Sequence, residues 1–178
     1  MSQSNIALFS VKLGCYENNN AALHEGLFNF CQFLERNNKG RELSNRGGFQ
    51  SNDLEIVDVV QDFVQFFLKP SFDRYLMDDF LFSEARLEIQ NMWANINYKY
   101  SYNTPHIHPG SDFAFVYYVK VPENSGELIF HHPSQSISYS KFFTSDKQTK
   151  YTSANSVEHV VQPIEGHVYV LLSYLMHI

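Results

Sequence analysis

Tryptophan occurs once in the 178 residues, cysteine twice, and charged side chains make up only 18% of the chain. Two cysteines, Cys15 and Cys31, are too few for a disulfide framework and read as reduced thiols. Thirteen Lys and Arg against 19 Asp and Glu give a net charge of −6, so the chain lacks the basic footprint of a nucleic-acid binder. The same balance argues against attraction to an anionic membrane surface. The low charged fraction also argues against long disordered tails. No apolar run approaches the roughly 20 residues of a membrane-spanning helix. The opening "MSQSNIALFSVKLGCYENNN" has no basic region, and its apolar stretch is too short for a secretory signal. These absences point to a cytoplasmic protein with no membrane or nucleic-acid partner. There is no internal repeat and no low-complexity segment.

What is abundant is aromatic. Sixteen Phe and 11 Tyr lift the hydrophobic content to 44%, enough for one sizeable core in a single domain spanning 1–178. Residues 1–85 read as mainly helical and 86–178 as a β core. "IALFSV" (6–11) suits an edge strand. Asn20 is a good N-cap for a helix with Leu23, Leu27, Phe30, Cys31 and Leu34 on one face, stopping near Gly40. A second helix is expected after Ser51, Asn52 and Asp53, carrying Ile56, Val59, Val60, Phe63 and Phe67 inward. Pro70 should end it or start the next turn, before a further helical run with Phe72, Tyr75, Leu76 and Phe80 inward. Between the first two helices, Gly47-Gly48 reads as a tight turn. From residue 86 the chain breaks into short β-rich runs: "ARLEIQNMWANINYKY", "FAFVYYVKV", "GELIFHH", "ISYSKFF", "VEHVVQP" and "HVYVLLSYLMH". Helices first and strands afterwards fit an α+β domain, with helices packed on one face of an antiparallel sheet or jelly roll.

Eight histidines remain to be placed. His24 on a helix, His159 in a strand, His131 and His132 at a strand end, and His167 opening the last strand all have sufficient structural roles. His106 and His108 are different. They sit one residue apart before a Pro-Gly turn, so in extended backbone they point the same way, and imidazole is the commonest metal-ligating side chain. The rival reading is two neighbouring loop histidines with no common task. His177, about 70 residues on, completes an HxH…H pattern. Distant strands of a jelly roll bring such ligands to one barrel mouth, leaving coordination positions open.

The segments "SNRGGFQS" (44–51), "MWANIN" (92–97), "NTPHIHPGSDFAFVYYVKVPENSGELIFHHP" (103–133) and "VVQPIEGHVYVLLSYLMH" (160–177) together resemble the 2-oxoglutarate/Fe(II) oxygenases common in marine bacteria and cyanophages. The resemblance implies a double-stranded β-helix with N-terminal helices packed on one sheet, Fe(II) as cofactor and 2-oxoglutarate as cosubstrate. It implies His106 as the first iron ligand and His177 as the distal one. His108 stands where the superfamily usually has a carboxylate, giving a three-histidine site, with Asp112 as the alternative third ligand. Phe49 replaces a usual Trp, and His132 replaces the acidic residue that usually precedes the proline.

Relatives continue with a strand whose arginine pairs with 2-oxoglutarate, whereas this sequence stops one residue after His177. The expectations that follow are reduced activity, a frayed His177, and a homodimer covering an open sheet edge. Lys120 then becomes the candidate to hold 2-oxoglutarate in the arginine's stead, with a solvated strand-end lysine as the competing reading. Tyr118 is a second cofactor-binding candidate, and Trp93, Phe115 and Tyr117 would line or support the pocket. The implied activity is hydroxylation of an unidentified small-molecule or peptide substrate. The alternatives are a cupin-like three-histidine metalloenzyme that needs no 2-oxoglutarate, and a non-catalytic jelly-roll module.

Overall fold

Asn20 caps the first helix as its side chain permits. It accepts a hydrogen bond from the Leu23 amide at 3.1 Å, satisfying one of the donors a helix start leaves open, and α1 runs Ala21–Asn37 with Leu23 and Leu27 buried. The computed structural model describes residues 10–82, 86–134, 139–140, 150, 152 and 155–178. The strand expected over 6–11 begins outside these residues, and Ser10 and Val11 are not strand. Most of the run 137–143 also lies outside them. Among the described residues no helix is long and apolar enough to cross a membrane.

The next helical stretch differs from expectation at its start. Helix α2, Asp58–Phe63, starts from Val57 and not from Ser51–Asp53. Ser51 is committed elsewhere: its amide donates to the Ala94 carbonyl at 2.9 Å, and its hydroxyl accepts from the Ala94 amide at 2.9 Å. Pro70 takes the second of its two expected roles and starts the next turn. The chain passes through a π turn, Val64–Leu68, into α3, Lys69–Phe80, with Pro70 in its first turn. There the Lys69 amide bonds the Val64 carbonyl, five residues back. A slip of one residue at that point makes room for a ring that clashes with a regular i−4 carbonyl.

The strands are β1 (Gly14–Glu17), β2 (Asn45–Arg46), β3 (Phe49–Gln50), β4 (Asn95–Ile96), β5 (Tyr102–Asn103), β6 (Phe113–Tyr117), β7 (Leu128–His131), β8 (Glu158–Val161) and β9 (His167–Leu172). Every pairing is antiparallel: β1-β9-β6 form one sheet, while β2 pairs β5, β3 pairs β4 and β7 pairs β8. Strand β9 is the continuous apolar run of the sequence because it is buried on both faces. Val168 and Val170 face Leu27, Phe63, Phe72 and Tyr75 of the helices. Tyr169 and Leu171 face Ala114, Leu128, Phe130 and Leu175 in a second cluster. Val168, Val170 and Leu171 are all 0% exposed, and full burial of such a side chain contributes about 1.5–3 kcal/mol.

Strand β6 alternates in the same way. Phe113, Phe115 and Tyr117 pack toward the helices, and Val116 and Tyr118 toward the second cluster. Phe115 and Tyr117 therefore support the sheet from behind and do not line the interior.

A second layer forms around the last residues. Ile129 and Ile178 exchange backbone hydrogen bonds at 3.2 and 2.9 Å, and the His131 amide donates to Met176 at 2.9 Å. On the opposite side His106 and His177 exchange a pair at 3.0 and 3.1 Å. Residues 176–178 thus lie between His106 and β7. The result is a mixed α/β structure of helices and antiparallel sheets, compatible with a jelly roll.

Candidate metal centre

The HxH loop is laced to the end of β9 by its backbone. The His108 amide donates to the Ser173 carbonyl at 2.9 Å, and the Ser173 amide donates to the Asp112 carbonyl at 3.1 Å. The Ser173 hydroxyl donates to the Ser111 carbonyl. Gly110 closes the turn at a φ of 86°, a left-handed value that suits a residue without Cβ. His106 meets His177 in a direct antiparallel bridge. Together these bonds hold three imidazoles at one place.

His106, His108 and His177 each present one ring nitrogen, and these nitrogens all lie within 4.8 Å of one another. Two rings are tethered from behind. His106 Nδ1 is 2.8 Å from the Thr104 carbonyl and His177 Nδ1 is 2.9 Å from the Leu175 carbonyl. A carbonyl only accepts, so each Nδ1 carries the proton and each Nε2 keeps its lone pair. This is how metal-ligating histidines are usually oriented, through the nitrogen that does not bind. The Nε2 atoms of His108 and His177 are 3.4 Å apart, long for a hydrogen bond between imidazoles. It matches two nitrogens each about 2.1 Å from a shared ion at a tetrahedral angle. Burial, then the neighbouring His177 and His106 rings, push His108 down to about 4. Burial also lowers His177, against an opposing bond to the Leu175 carbonyl. Both are neutral donors at pH 7, as a metal requires. The donor set fits a divalent transition metal such as Fe(II), and equally accepts zinc or nickel.

His177 is 3% exposed and bonded through its backbone to His106, between that residue and β7. The expected fraying of this ligand is overturned, because pairing on both sides outweighs its place in the sequence. Asp112 is not part of the cluster; it is exposed and contributes its backbone carbonyl to the Ser173 amide. Trp93 does stand beside the site, its ring 5.8 Å from that of His108 and inclined by 33°. Phe130 closes another side, 6.0 Å from the His177 ring.

Lys120 is not brought to the histidines. Strand β6 starts at Phe113, near the HxH turn, and Lys120 lies past its opposite end. Its ammonium there binds Glu165 at 3.0 Å, with 58% of the side chain exposed. Tyr118 faces the second cluster, its ring edge-on to Tyr169 at 5.7 Å. Burial raises its phenol well above the usual range. Phe130 belongs to that same cluster, so Tyr118 shares the interior with a residue touching His177, while its own amide donates to the His167 carbonyl at 3.0 Å.

Four of the other histidines have structural partners: His24 Nδ1 lies 2.7 Å from the Tyr117 hydroxyl, His131 Nδ1 3.2 Å from Glu158, His132 Nδ1 3.1 Å from the Ser134 amide and His167 Nδ1 3.2 Å from the Glu165 carbonyl. The sequence reading missed Arg41, whose guanidinium sits 5.6 Å from the centre of the Trp93 ring. It also missed the tethers of His106 and His177, which are main-chain carbonyls and carry no residue signature.

Residues 91–178 match the family model described as "Putative 2OG-Fe(II) oxygenase". No curated protein matches the chain.

Proposed function

We propose, from the 2OG-Fe(II) oxygenase domain at residues 91–178, that the chain is a hydroxylase using Fe(II) and 2-oxoglutarate in a jelly-roll domain. The observation that carries this reading is the convergence of His106, His108 and His177 inside the matched span, with two rings locked in the ligating tautomer. Fe(II) with 2-oxoglutarate supplies the oxidising chemistry: O2 is consumed, 2-oxoglutarate leaves as succinate and CO2, and one oxygen atom enters a substrate C–H bond.

The protein's part is positioning. The Nε2 lone pairs of His106 and His177 would hold the metal, while the Thr104 and Leu175 carbonyls keep both rings from rotating away. His108 would supply the third nitrogen. Because imidazole ligands bring no negative charge, the protein would leave the ion's double positive charge uncompensated, and an anionic chelating cosubstrate would offset it. Phe130 and Trp93 keep two sides of the centre apolar, which limits water near the reacting groups.

The lack of a carboxylate in the cluster among the described residues favours one second reading, a cupin-like oxygenase that dispenses with 2-oxoglutarate. One experiment separates them. Protein purified without a histidine tag is supplied with Fe(II) and air, and oxygen uptake and succinate are measured with and without 2-oxoglutarate. Succinate formation that is lost in His177→Ala supports the proposal. Oxygen uptake that ignores 2-oxoglutarate replaces it with the second reading.

A further inference from the structure

We infer that Arg41 and Gln50 form a subsite for a carboxylate carried by the substrate, against the face of Trp93 and beside the histidine centre. The inference rests on the reading of that centre as a metal site and adds to it the chemical class of what is oxidised.

Gln50 is 2% exposed. Its Oε1 accepts from the Leu43 and Asn45 amides at 3.3 and 3.4 Å. Two N–H donors can face only the carbonyl end, so the orientation of the amide is fixed. The other end, Nε2, is buried and has no hydrogen-bond partner among the described residues. Arg41 carries a second such donor: its Nη2 binds Asp53 at 2.7 Å, while its Nε is buried and unpaired. Buried polar groups are almost always satisfied, so two donors without a partner among the described residues call for an acceptor.

The two residues are held together by the backbone. The Arg41 amide donates to the Gln50 carbonyl at 2.7 Å. The approach depends on Gly40, whose φ is +69° and whose Cβ, if it had one, would fall 2.6 Å from that carbonyl. Gln50 pairs with Asn95 across β3 and β4. Trp93, two residues before Asn95, shares a side with Gln50 by the alternation of extended chains. Arg41 lies over the same indole, which in turn contacts His108. The donors therefore flank the one tryptophan that touches the proposed metal centre.

A carboxylate is the acceptor that suits them. The guanidinium presents Nε and its terminal nitrogens as a fork matched to two carboxylate oxygens. Asp53, with 58% of its side chain exposed, is a solvent-side partner that leaves Nε free. Gln50 adds a neutral donor, and the indole adds a flat wall for the carbon skeleton.

Trp93 is the only tryptophan among 11 tyrosines, so fluorescence excited at the red edge, where tyrosine does not absorb, reports on this place alone. The probe is N-acetylglycine, with N-acetylglycinamide as the uncharged control and Zn(II)-loaded protein as the sample. Saturable change with the acid, and about tenfold weaker binding of the amide, is the result expected for a charge-assisted contact. Gln50→Glu keeps an oxygen for the Leu43 and Asn45 amides but replaces the free donor with negative charge. It should retain the thermal midpoint and weaken N-acetylglycine at least about tenfold. Arg41→Lys, which keeps charge but loses the fork, should show the same loss and serves if the glutamate variant does not fold.

Equal binding of acid and amide, or no loss in either variant, overturns the inference. So does displacement of N-acetylglycine by 2-oxoglutarate in equal measure with its own binding, which would make this the cosubstrate's place. Co(II) absorption on the same samples separates the two readings. A chain that binds N-acetylglycine but no Co(II) removes the metal centre and leaves a carboxylate site. One that binds Co(II) but no carboxylate removes only the subsite.

Discussion

The two ends of the β6–β9 pair both gather histidine and polar side chains, and they treat them in opposite ways. At the Tyr117 end, every group answers another. His24 meets the Tyr117 hydroxyl at 2.7 Å, Asn18 donates to that hydroxyl at 3.1 Å, and Lys120 binds Glu165 at 3.0 Å. Glu165 also accepts from the Val121 amide at 3.0 Å. At the Phe113 end, three imidazoles turn their nitrogens toward one another with no carboxylate among them. Satisfied groups fasten a helix and a turn to a sheet. Donor atoms turned toward one shared point are what a metal site needs, and the proposed centre rests on that contrast.

The strongest way to break the contrast is to remove a ligand. His177→Ala should lower Co(II) or Fe(II) affinity by more than the 10- to 100-fold that is typical of losing an outer-sphere partner. Equilibrium titration with absorbance detection checks this. The matching change at the other end, His24→Ala, should leave metal affinity unaltered. Equal effects would dissolve the distinction between the two ends.

Acid should act next, and with a definite sign. His108 in the folded chain is pushed down to about 4, mainly by burial and then by His177 and His106, against roughly 6.5 when unfolded. Between those values the unfolded chain binds the extra proton, so stability rises with pH there. The metal-free protein should therefore keep this contribution in full above pH 6.5 and lose it as pH falls toward 4. His177, also lowered, acts in the same direction. Denaturant midpoints measured from pH 7.5 to 4.5 test the slope, and His108→Asn should flatten it. An unchanged slope in that variant would mean that His108 does not carry it.

At the satisfied end, Tyr117→Phe removes a hydroxyl that Asn18 and His24 both contact. A loss of about 1 kcal/mol is expected from an ordinary hydrogen bond, with metal binding intact. Smallest of all is Lys120→Ala. Its pair with Glu165 is exposed and screened, so stability should change by no more than about 1 kcal/mol. The dependence of succinate formation on 2-oxoglutarate concentration should not move. A marked rise in the concentration required would restore Lys120 as a cosubstrate ligand in spite of its position.

Much of this was legible in advance where local rules govern. The Asn20 cap, the Leu23 and Leu27 stripe, and the apolar run of β9 each follow from spacing that tertiary contacts reinforce. The paired direction of His106 and His108 was readable from extended backbone, and His177 from the family pattern. The misses arise where distant partners decide. Ser51 is a good helix cap by chemistry, yet Ala94, far along the chain, takes both its amide and its hydroxyl. The sequence reading groups Phe115 and Tyr117 with Tyr118 as pocket residues, whereas alternation puts them on opposite faces. Which face meets the helices depends on the fold as a whole. Arg41 gave no signal because its place over Trp93 depends on two short ribbons coming together.

His108 and His177 are 69 residues apart in the chain, yet their ring nitrogens are 3.4 Å apart. The centre cannot exist until a long loop has closed, and closure of that kind is slow because its entropy cost precedes the contacts that reward it. An ion that binds only the closed form shifts the folding equilibrium by mass action. Ligand-loaded protein should then unfold more slowly, with its refolding rate unaltered unless the loop closes before the transition state.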